Sequence, residues 1–194
     1  MLGPEGCAAL QATLIRRAVA WAAEVGTPYV AFAPADARDE IAGLVPPGTR
    51  LLEQAGEDAV ARVAAAAEQV LAERDGPVLL VGVDTPQIAP LVGRQALEDL
   101  ACGCDLTFGP SADGRFYLVG VREPHPEVFD LPDGAWEGPR VLELTLGAAH
   151  EADLSLAMLR SERALNEEAD ARAMLVDPIA PREVVDVLRA WADR

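Results

Sequence analysis

The stretch from Pro77 to Gln87 constrains this chain most, because it joins a buried-strand pattern to a carboxylate. Its apolar residues, VLLVGV, follow one another without alternation, which is typical of a strand covered on both faces in a parallel sheet. Asp84 comes next, at the carboxyl end, where open α/β sheets bind ligands. Thr85 and Pro86 fit the N-cap and first position of a helix. Asp84 is therefore either a metal ligand or a helix cap, and spacing alone leaves both open.

Strand and helix patterns alternate along the rest of the chain. Helices are predicted over residues 5–25, 36–44, 57–73, 90–101, 139–149, 167–175 and 181–191, and strands over 29–33, 49–53, 77–83, 105–110, 115–121 and 154–159. The segment 123–138 is rich in Pro, Asp and Gly and predicts a surface loop. The alternation predicts an α/β fold of three layers, a mostly parallel sheet with helices on both faces. No linker or repeat is visible, so we expect residues 1–194 to form a single domain.

Composition excludes several classes of function. The net charge of −16 argues against nucleic-acid binding, which needs a basic surface. All 16 basic residues are Arg, so chemistry that needs a lysine, such as Schiff-base formation, is excluded. No apolar run approaches the roughly 20 residues of a membrane span, and no secretory signal is visible, so we expect a cytoplasmic protein. The three cysteines and two histidines are not spaced as metal ligands.

Three segments together resemble one protein family. They read LLVGVDTP over residues 79–86, FGPSADGRFYLVG over 108–120 and WEGPRVL over 136–142. Their order resembles the bacterial glycosyltransferase-like proteins of the GT-A fold, also called radical-SAM/selenodomain-associated transferases. These belong to the nucleotide-diphospho-sugar transferase superfamily and typically carry Gly-Ser-Asp-x-Pro, Gly-Pro-x-x-Asp-Gly-Gly-Tyr-Tyr-Leu-Ile-Gly and Trp-Ser-Thr-x-x-Val-Leu segments. The resemblance implies a Rossmann-like GT-A fold, and the middle segment is its most specific part.

The resemblance also implies roles for individual residues. Asp84 and Asn166 would be ligands of Mg²⁺ or Mn²⁺, and Asp113 would lie in the acceptor pocket as a candidate base, although Asp113 equally fits an ordinary Asp-Gly turn. The candidate nucleotide or substrate contacts are Asp58, Arg62, Arg115, Trp136 and Arg140. For Trp136, packing against its neighbours is an equal alternative, and the two helical arginines, Arg62 and Arg140, fit solvated or salt-bridged positions as well.

Departures from the family pattern bear on activity. The family begins with a strand and a phosphate-gripping loop, whereas this sequence starts where the family's first helix begins, which predicts an N-terminally shortened fold. The absence of that strand would leave its neighbouring strands unpaired unless the sheet closes or another chain fills the gap. We therefore expect that two copies of the chain can form a homodimer. Asn166 stands where the family has a second Asp, which weakens a cation site. Arg115 stands where a second Gly is expected, so it would either bind phosphate or block the pocket.

Two hypotheses of function follow. The first is a metal-dependent transferase that uses a nucleotide sugar or a nucleoside triphosphate and an unknown acceptor. The alternative is a catalytically degenerate homologue that keeps the fold for binding or assembly. The departures at Asn166 and Arg115 favour the second, and the carboxylate at the end of the central strand favours the first.

Overall fold

A computed structural model describes residues 2–56, 59–132 and 134–192. Its helices are α1 (Gly3–Val25), α2 (Arg38–Leu44), α3 (Ala59–Glu73), α4 (Pro90–Ala101), α5 (Pro126–Phe129), α6 (Val141–Glu151), α7 (Glu168–Val176) and α8 (Arg182–Ala192). Its strands are β1 (Tyr29–Phe32), β2 (Arg50–Glu53), β3 (Val78–Val81), β4 (Leu106–Pro110), β5 (Phe116–Val121) and β6 (Leu156–Met158). None of the helices in the described ranges is long and apolar enough to cross a membrane.

The main sheet has four strands in the order β3-β5-β4-β6. Strand β5 runs antiparallel to both neighbours, because β4 and β5 form a hairpin, whereas β4 and β6 are parallel. Strands β3, β4 and β6 therefore point the same way. A second, two-stranded sheet pairs β1 with β2 in parallel. The structure confirms the predicted α/β fold with a mixed, mostly parallel arrangement of strands.

Helices cover both faces of the main sheet. On one face, Leu79 and Val81 of β3 pack with Trp21 of α1 and residues of α4. On the other face, Val78 and Leu80 pack in a cluster that includes residues of α3, α5 and α6. A further cluster joins α1 to α7 and α8. The predicted layering is confirmed, and β3 is covered on both faces, as its unalternating sequence implies.

The start of α4 agrees with the helix predicted over 90–101, but not with a helix that Thr85 and Pro86 would open. The helix begins at Pro90, with Ala89 at the N-cap position, and residues 83–89 form turns instead. Thr85 therefore does not cap a helix, and its carbonyl accepts a hydrogen bond from the Ile88 N–H at 3.4 Å. The physical reason is that Pro90 offers a second proline for the first turn, where its missing N–H costs nothing. The helix-cap interpretation of Asp84 is wrong for the same reason, because the helix begins six residues after it.

The segment 123–138 is not the surface loop that its composition predicts. It contains α5, whose Val128 and Phe129 are 0% and 3% exposed. These two side chains insert into the cluster on the α3 and α6 side of the sheet. The Pro-, Asp- and Gly-rich composition of the segment is typical of turns, but two apolar residues anchor the segment to the core.

Candidate functional site

The candidate site begins at the carboxyl end of β3. Asp84 lies three residues after the last paired residue of that strand and is partly buried. Its backbone carbonyl accepts a hydrogen bond of 2.7 Å from the N–H of Leu165. The segment after β6 is therefore bonded directly to the segment after β3, although 81 residues separate Asp84 from Leu165 in sequence.

The turn between β4 and β5 supplies the second carboxylate. Asp113 Oδ1 accepts a hydrogen bond from the N–H of Arg115 at 3.2 Å, which holds the turn closed. Gly114 has φ of +86°, and a Cβ there would lie 1.9 Å from the carbonyl oxygen of Pro139. Only glycine fits this position, because the turn is pressed against the residues that lead into α6. The contact that fixes the Asp-Gly turn therefore also fixes the position of the Asp113 carboxylate.

Asn166 connects the second carboxylate to the segment after β6. Its side-chain Nδ2 donates a hydrogen bond of 3.3 Å to Oδ2 of Asp113. The amide also lies close enough to Asp84 to favour the ionised form of that carboxylate. The structure thus brings Asp84, Asp113 and Asn166 together from three separate segments, as the resemblance implies for a shared site.

The segment that carries Asn166 is fastened at several points. The N–H of Ala112 donates to the carbonyl of Glu162 at 2.9 Å, and the Tyr117 hydroxyl donates to the carbonyl of Arg160 at 3.0 Å. Tyr117 is 2% exposed, and burial raises the pKa of its hydroxyl to about 12. Tyr117 therefore stays protonated and serves as a structural hydrogen-bond donor within the core.

Asp170 is a site-supporting residue that the sequence analysis missed. Its Oδ2 accepts hydrogen bonds from the backbone N–H groups of Asn166 at 3.2 Å and Glu167 at 3.0 Å. Glu167 and Asp170 form a reciprocal capping box at the start of α7. The signal in the sequence is an acidic residue three positions after the helix cap, and it fixes the backbone that presents Asn166.

The two carboxylates have opposite pKa shifts. Burial raises the pKa of Asp84 above its ordinary value of 3.8, and the charge of Asp113 acts in the same direction, while its own backbone N–H, Asn166 and Arg115 oppose the shift without reversing it. Burial also acts to raise the pKa of Asp113, but Ser111, the Arg115 N–H and the Arg115 charge outweigh it, so the pKa of Asp113 is lowered. The Ser111 hydroxyl lies near that carboxylate, but outside full hydrogen-bonding geometry.

Arg115 is a cation beside this pair, and its charge acts on both carboxylates. Its Nε lies 3.6 Å from Oδ2 of Asp113, and its side chain is 45% exposed. An exposed ion pair of this kind contributes only about 0–1 kcal/mol, so the guanidinium can move away from the carboxylate at little cost. Arg115 can therefore face either the carboxylate or an anionic group of a ligand.

The donor set fits a magnesium-like ion that a ligand helps to bind. Across residues 2–56, 59–132 and 134–192 there is no group of three or more His, Cys, Asp or Glu side chains placed to hold a metal. The two carboxylates are nevertheless hard oxygen donors, and Mg²⁺ is commonly bound by one or two carboxylates plus substrate phosphates. The raised pKa of Asp84 is consistent with this, because a buried carboxylate beside a second one gains from a nearby cation. Asn166, whose Nδ2 donates to Asp113, would offer its amide oxygen only after the amide rotates.

For the remaining candidates the structure shows no described contact with Asp84, Asp113 or Asn166. Arg140 Nε and Nη2 each donate a hydrogen bond of 2.8 Å to the Glu143 carboxylate on the exposed start of α6. Trp136 stacks on Phe129 with ring centroids 6.0 Å apart, and its Nε1 donates to the Phe129 carbonyl. Arg62 lies on α3, the helix that packs against β3. Asp58 lies outside the described residues. The roles of all four in ligand binding stay predictions.

Comparisons with known proteins agree with this fold. A family model described as "Uncharacterized protein conserved in bacteria (DUF2064)" matches residues 11–133. The structure is similar to the crystal structure of a putative nucleotide-diphospho-sugar transferase from Desulfovibrio desulfuricans G20, with a TM-score of 0.85 and 22% sequence identity over 97% of this chain and 84% of that chain. No curated protein matches the chain. The chain therefore has the fold of that transferase structure.

Proposed function

The chain belongs to the DUF2064 family of uncharacterised bacterial proteins, and from that premise we propose that it is a glycosyltransferase-like enzyme. The observation that carries the proposal is the convergence of Asp84, Asp113 and Asn166 at the carboxyl end of β3. This is the edge where α/β sheets bind ligands. The proposed donor is a nucleotide sugar, with nucleotidyl transfer from a nucleoside triphosphate as the variant chemistry on the same site.

The three residues have distinct proposed roles. Asp84 and Asn166, with Asp113 beside them, would hold Mg²⁺ or Mn²⁺ against the diphosphate of the donor. When bound, the ion would neutralise the negative charge that develops on the departing nucleotide or pyrophosphate. Arg115 would contact the same phosphates, because its guanidinium is exposed and weakly held by Asp113. The proposed roles need only oxygen ligands for the metal ion and the Arg115 guanidinium for the phosphates.

Asp113 is the proposed base for the acceptor hydroxyl. Its pKa is lowered, so the carboxylate is ionised at neutral pH and can accept a hydrogen bond from a hydroxyl group and orient it. Its carboxylate is exposed on the turn between β4 and β5, which gives an acceptor access. The raised pKa of Asp84 and the lowered pKa of Asp113 separate the two carboxylates into different chemical roles.

The second candidate function is binding without catalysis. The ion pair between Arg115 and Asp113 favours it, because a guanidinium beside the proposed base competes with a metal ion for the same oxygen. In that case the chain would bind a nucleotide or a protein and would turn over no donor. Homodimer formation and a cytoplasmic location also stay proposals.

A thermal-shift panel tests the enzyme proposal. The wild type is heated with UDP-, GDP-, ADP- and CDP-sugars and the four nucleoside triphosphates, each with and without Mg²⁺ or Mn²⁺. A ligand at about 100 times its Kd adds roughly 2.7 kcal/mol of stability. For a domain of this size that raises Tm by about 2–4 °C per kcal/mol. We expect a metal-dependent rise with one nucleotide class.

Variants decide whether the shift arises at the proposed site. Asp84→Asn should abolish the metal-dependent rise, whereas Asp36→Asn, an exposed carboxylate on the α2 side, should leave it unchanged. Incubation of the responding nucleotide sugar with the wild type then separates the two candidates. Donor hydrolysis or transfer supports the enzyme, and tight binding without turnover supports the binding protein. No shift with any nucleotide in a folded sample contradicts the enzyme and leaves binding of a protein as the second candidate.

A further inference from the structure

The Asp113 carboxylate is engaged on both of its oxygens. Oδ1 accepts the hydrogen bond from the Arg115 N–H at 3.2 Å, and Oδ2 accepts the hydrogen bond from Asn166 Nδ2 at 3.3 Å. The Arg115 side chain also approaches Oδ2, with its Nε 3.6 Å away. A cation that binds Oδ2 would therefore come close to a second positive charge, which repels it.

The charge of Arg115 reaches both carboxylates of the site. Burial raises the pKa of Asp84, and the Arg115 charge acts against that shift. At Asp113, burial acts to raise the pKa as well, while Ser111, the Arg115 N–H and the Arg115 charge together lower it. The guanidinium thus already supplies part of the positive charge that a metal ion would bring to the pair.

The backbone of Arg115 is fixed, whereas its side chain is weakly held. Its carbonyl accepts a hydrogen bond of 2.8 Å from the Ser111 N–H, and its own N–H is bonded to Asp113. The distance of 3.6 Å from Nε to Oδ2 is too long for a hydrogen bond, so charge attraction joins the two groups. Solvent weakens that attraction, because both side chains are exposed. The guanidinium can therefore swing away from Asp113 while the turn stays in place.

Two arginines on adjoining segments are held more firmly. Arg140, which precedes α6, donates its two hydrogen bonds of 2.8 Å to Glu143. Nη2 of Arg160, on the segment after β6, lies 2.7 Å from Oε1 of Glu162. Both guanidinium groups would have to give up close contacts in order to bind an anion. Of these three arginines, Arg115 is the one that a phosphate group can recruit most readily.

A phosphate group is a better partner for Arg115 than the Asp113 carboxylate is in this geometry. A guanidinium can donate two parallel hydrogen bonds to phosphate oxygens, which its planar fork favours. Its contact with Asp113 is instead a single long ion pair. A diphosphate at the turn before β5 would therefore draw the guanidinium to itself, and Oδ2 of Asp113 would lose the neighbouring positive charge.

We propose that Arg115 acts as a gate at this site: its ion pair with Asp113 hinders the binding of a metal ion alone, and a diphosphate group opens the gate by drawing the guanidinium away. The gate rests on the proposed function, because it controls access to the same carboxylates. It also resolves the competition between the guanidinium and a metal ion, which ends once the diphosphate is bound. Removal of the Arg115 side chain must therefore change the affinities for metal and diphosphate in opposite directions.

Separate titrations of a metal ion and an anion test the gate. Mn²⁺ is titrated without any anion, and the electron paramagnetic resonance signal of free Mn²⁺ gives its Kd. Inorganic pyrophosphate is titrated in the presence of EDTA, and calorimetry gives its Kd without metal. We expect Arg115→Ala to bind Mn²⁺ about tenfold more tightly than the wild type, because a repelling charge is removed. We expect it to bind pyrophosphate about tenfold more weakly, because charge-assisted hydrogen bonds are lost.

Arg122→Ala is the matched control. Arg122 lies at the other end of β5, its side chain is 42% exposed against 45% for Arg115, and its Nη2 lies 3.6 Å from Oδ1 of Asp105. Both substitutions therefore break an ion pair of the same length and make the net charge more negative by one. Arg122→Ala should leave both Kd values within about twofold of the wild type, because roughly 20 Å of strand separates it from the site and salt screens its charge.

Arg115→Lys separates the charge from the shape of the side chain. A lysine keeps the positive charge but lacks the planar fork, so Mn²⁺ binding should stay close to the wild type while pyrophosphate binding weakens. Near-ultraviolet circular dichroism checks that each variant is folded.

The outcomes distinguish failure of the gate from failure of the proposed function. If Mn²⁺ and pyrophosphate together bind the wild type, but Arg115→Ala does not tighten Mn²⁺ binding or does not weaken pyrophosphate binding, the gate is wrong and the proposed function stands. Equal effects of Arg115→Ala and Arg122→Ala also overturn the gate, because net charge alone would then explain them. If neither probe binds any of the folded proteins, singly or together, the gate and the proposed function both fail.

Discussion

Strands β5 and β3 are neighbours with similar apolar sequences, yet their surroundings differ. Strand β5, which reads FYLVGV, has a partner on each edge, and five of its six residues are buried. Strand β3 reads VLLV, has a partner on one edge, and all four of its residues are half-buried. Helices cover both strands, so the difference arises from the edge. An apolar strand sequence therefore indicates that helices can cover the strand on both faces. The number of paired edges determines how much of the strand is buried.

Glycine substitutions in the two turns beside these strands should give the largest difference in the free energy of unfolding. Gly114→Ala places a Cβ against the Pro139 carbonyl at a positive φ, so we expect a loss of about 4 kcal/mol or more. Gly76→Ala, in the turn before β3, has a similar φ of +111° but nothing within 4 Å, so it should cost about 1 kcal/mol. Urea unfolding measures both. Equal losses would show that the α6 contact does not hold the turn.

Core truncations compare the strands directly. Leu118→Ala removes a side chain with 0% exposure from β5 and should cost about 3–4 kcal/mol. Leu79→Ala on β3 should cost about 1–2 kcal/mol, because its neighbours and water can fill the space beside the open edge. Chemical denaturation of the two variants tests this. Losses within 0.5 kcal/mol of each other, which is about the additivity error, would contradict the difference between the strands.

The carboxylates that follow the two strands should respond oppositely to pH. Because the folded-state pKa of Asp84 is raised, its stabilising contribution is present below 3.8 and is lost as pH rises through the folded pKa. The pKa of Asp113 is lowered, so its contribution is present above 3.8 and is lost as pH falls through the folded pKa.

Thermal unfolding between acidic and neutral pH checks these signs. Relative to wild type, Asp84→Asn should gain stability as pH rises, and Asp113→Asn should gain stability as pH falls. The effects should be the smallest of the three comparisons, because Asp113 is exposed and solvent screens it. Parallel pH profiles for the two variants would contradict the separation of the carboxylates.

Sequence patterns predicted the order of strands and helices because hydrophobic periodicity and turn residues are local signals. The strand ending before Asp84 and the hairpin around Asp113 and Gly114 were predicted on that basis, and the structure has both. The helix over 90–101 was predicted correctly, but the helix start at Thr85 and Pro86 was not, since Pro86 and Pro90 give the same local signal and only tertiary packing chooses between them.

The contacts of the site were less accessible to sequence reasoning. Pattern analysis gave no sign that Asn166 bonds to Asp113, because 53 residues separate them, and the resemblance alone paired it with Asp84. Asp170 was missed because its hydrogen bonds to backbone groups leave only the weak signature of a capping box. The burial of Phe129 was missed because a polar segment surrounds it. Contacts between distant segments and single buried side chains leave no periodic pattern in the sequence. Hydrophobic periodicity therefore cannot predict them.

The hydrogen bond between the Leu165 N–H and the Asp84 carbonyl has a consequence for the order of folding. Contacts between residues far apart in sequence form late, because the intervening chain must first be closed. Strand β3 can pair with β5 before the last quarter of the chain arrives, but Asn166 cannot reach Asp113 until Leu165 has docked. A nascent chain can therefore pair β3, β5 and β4 first, whereas β6 and the site are completed only as synthesis ends.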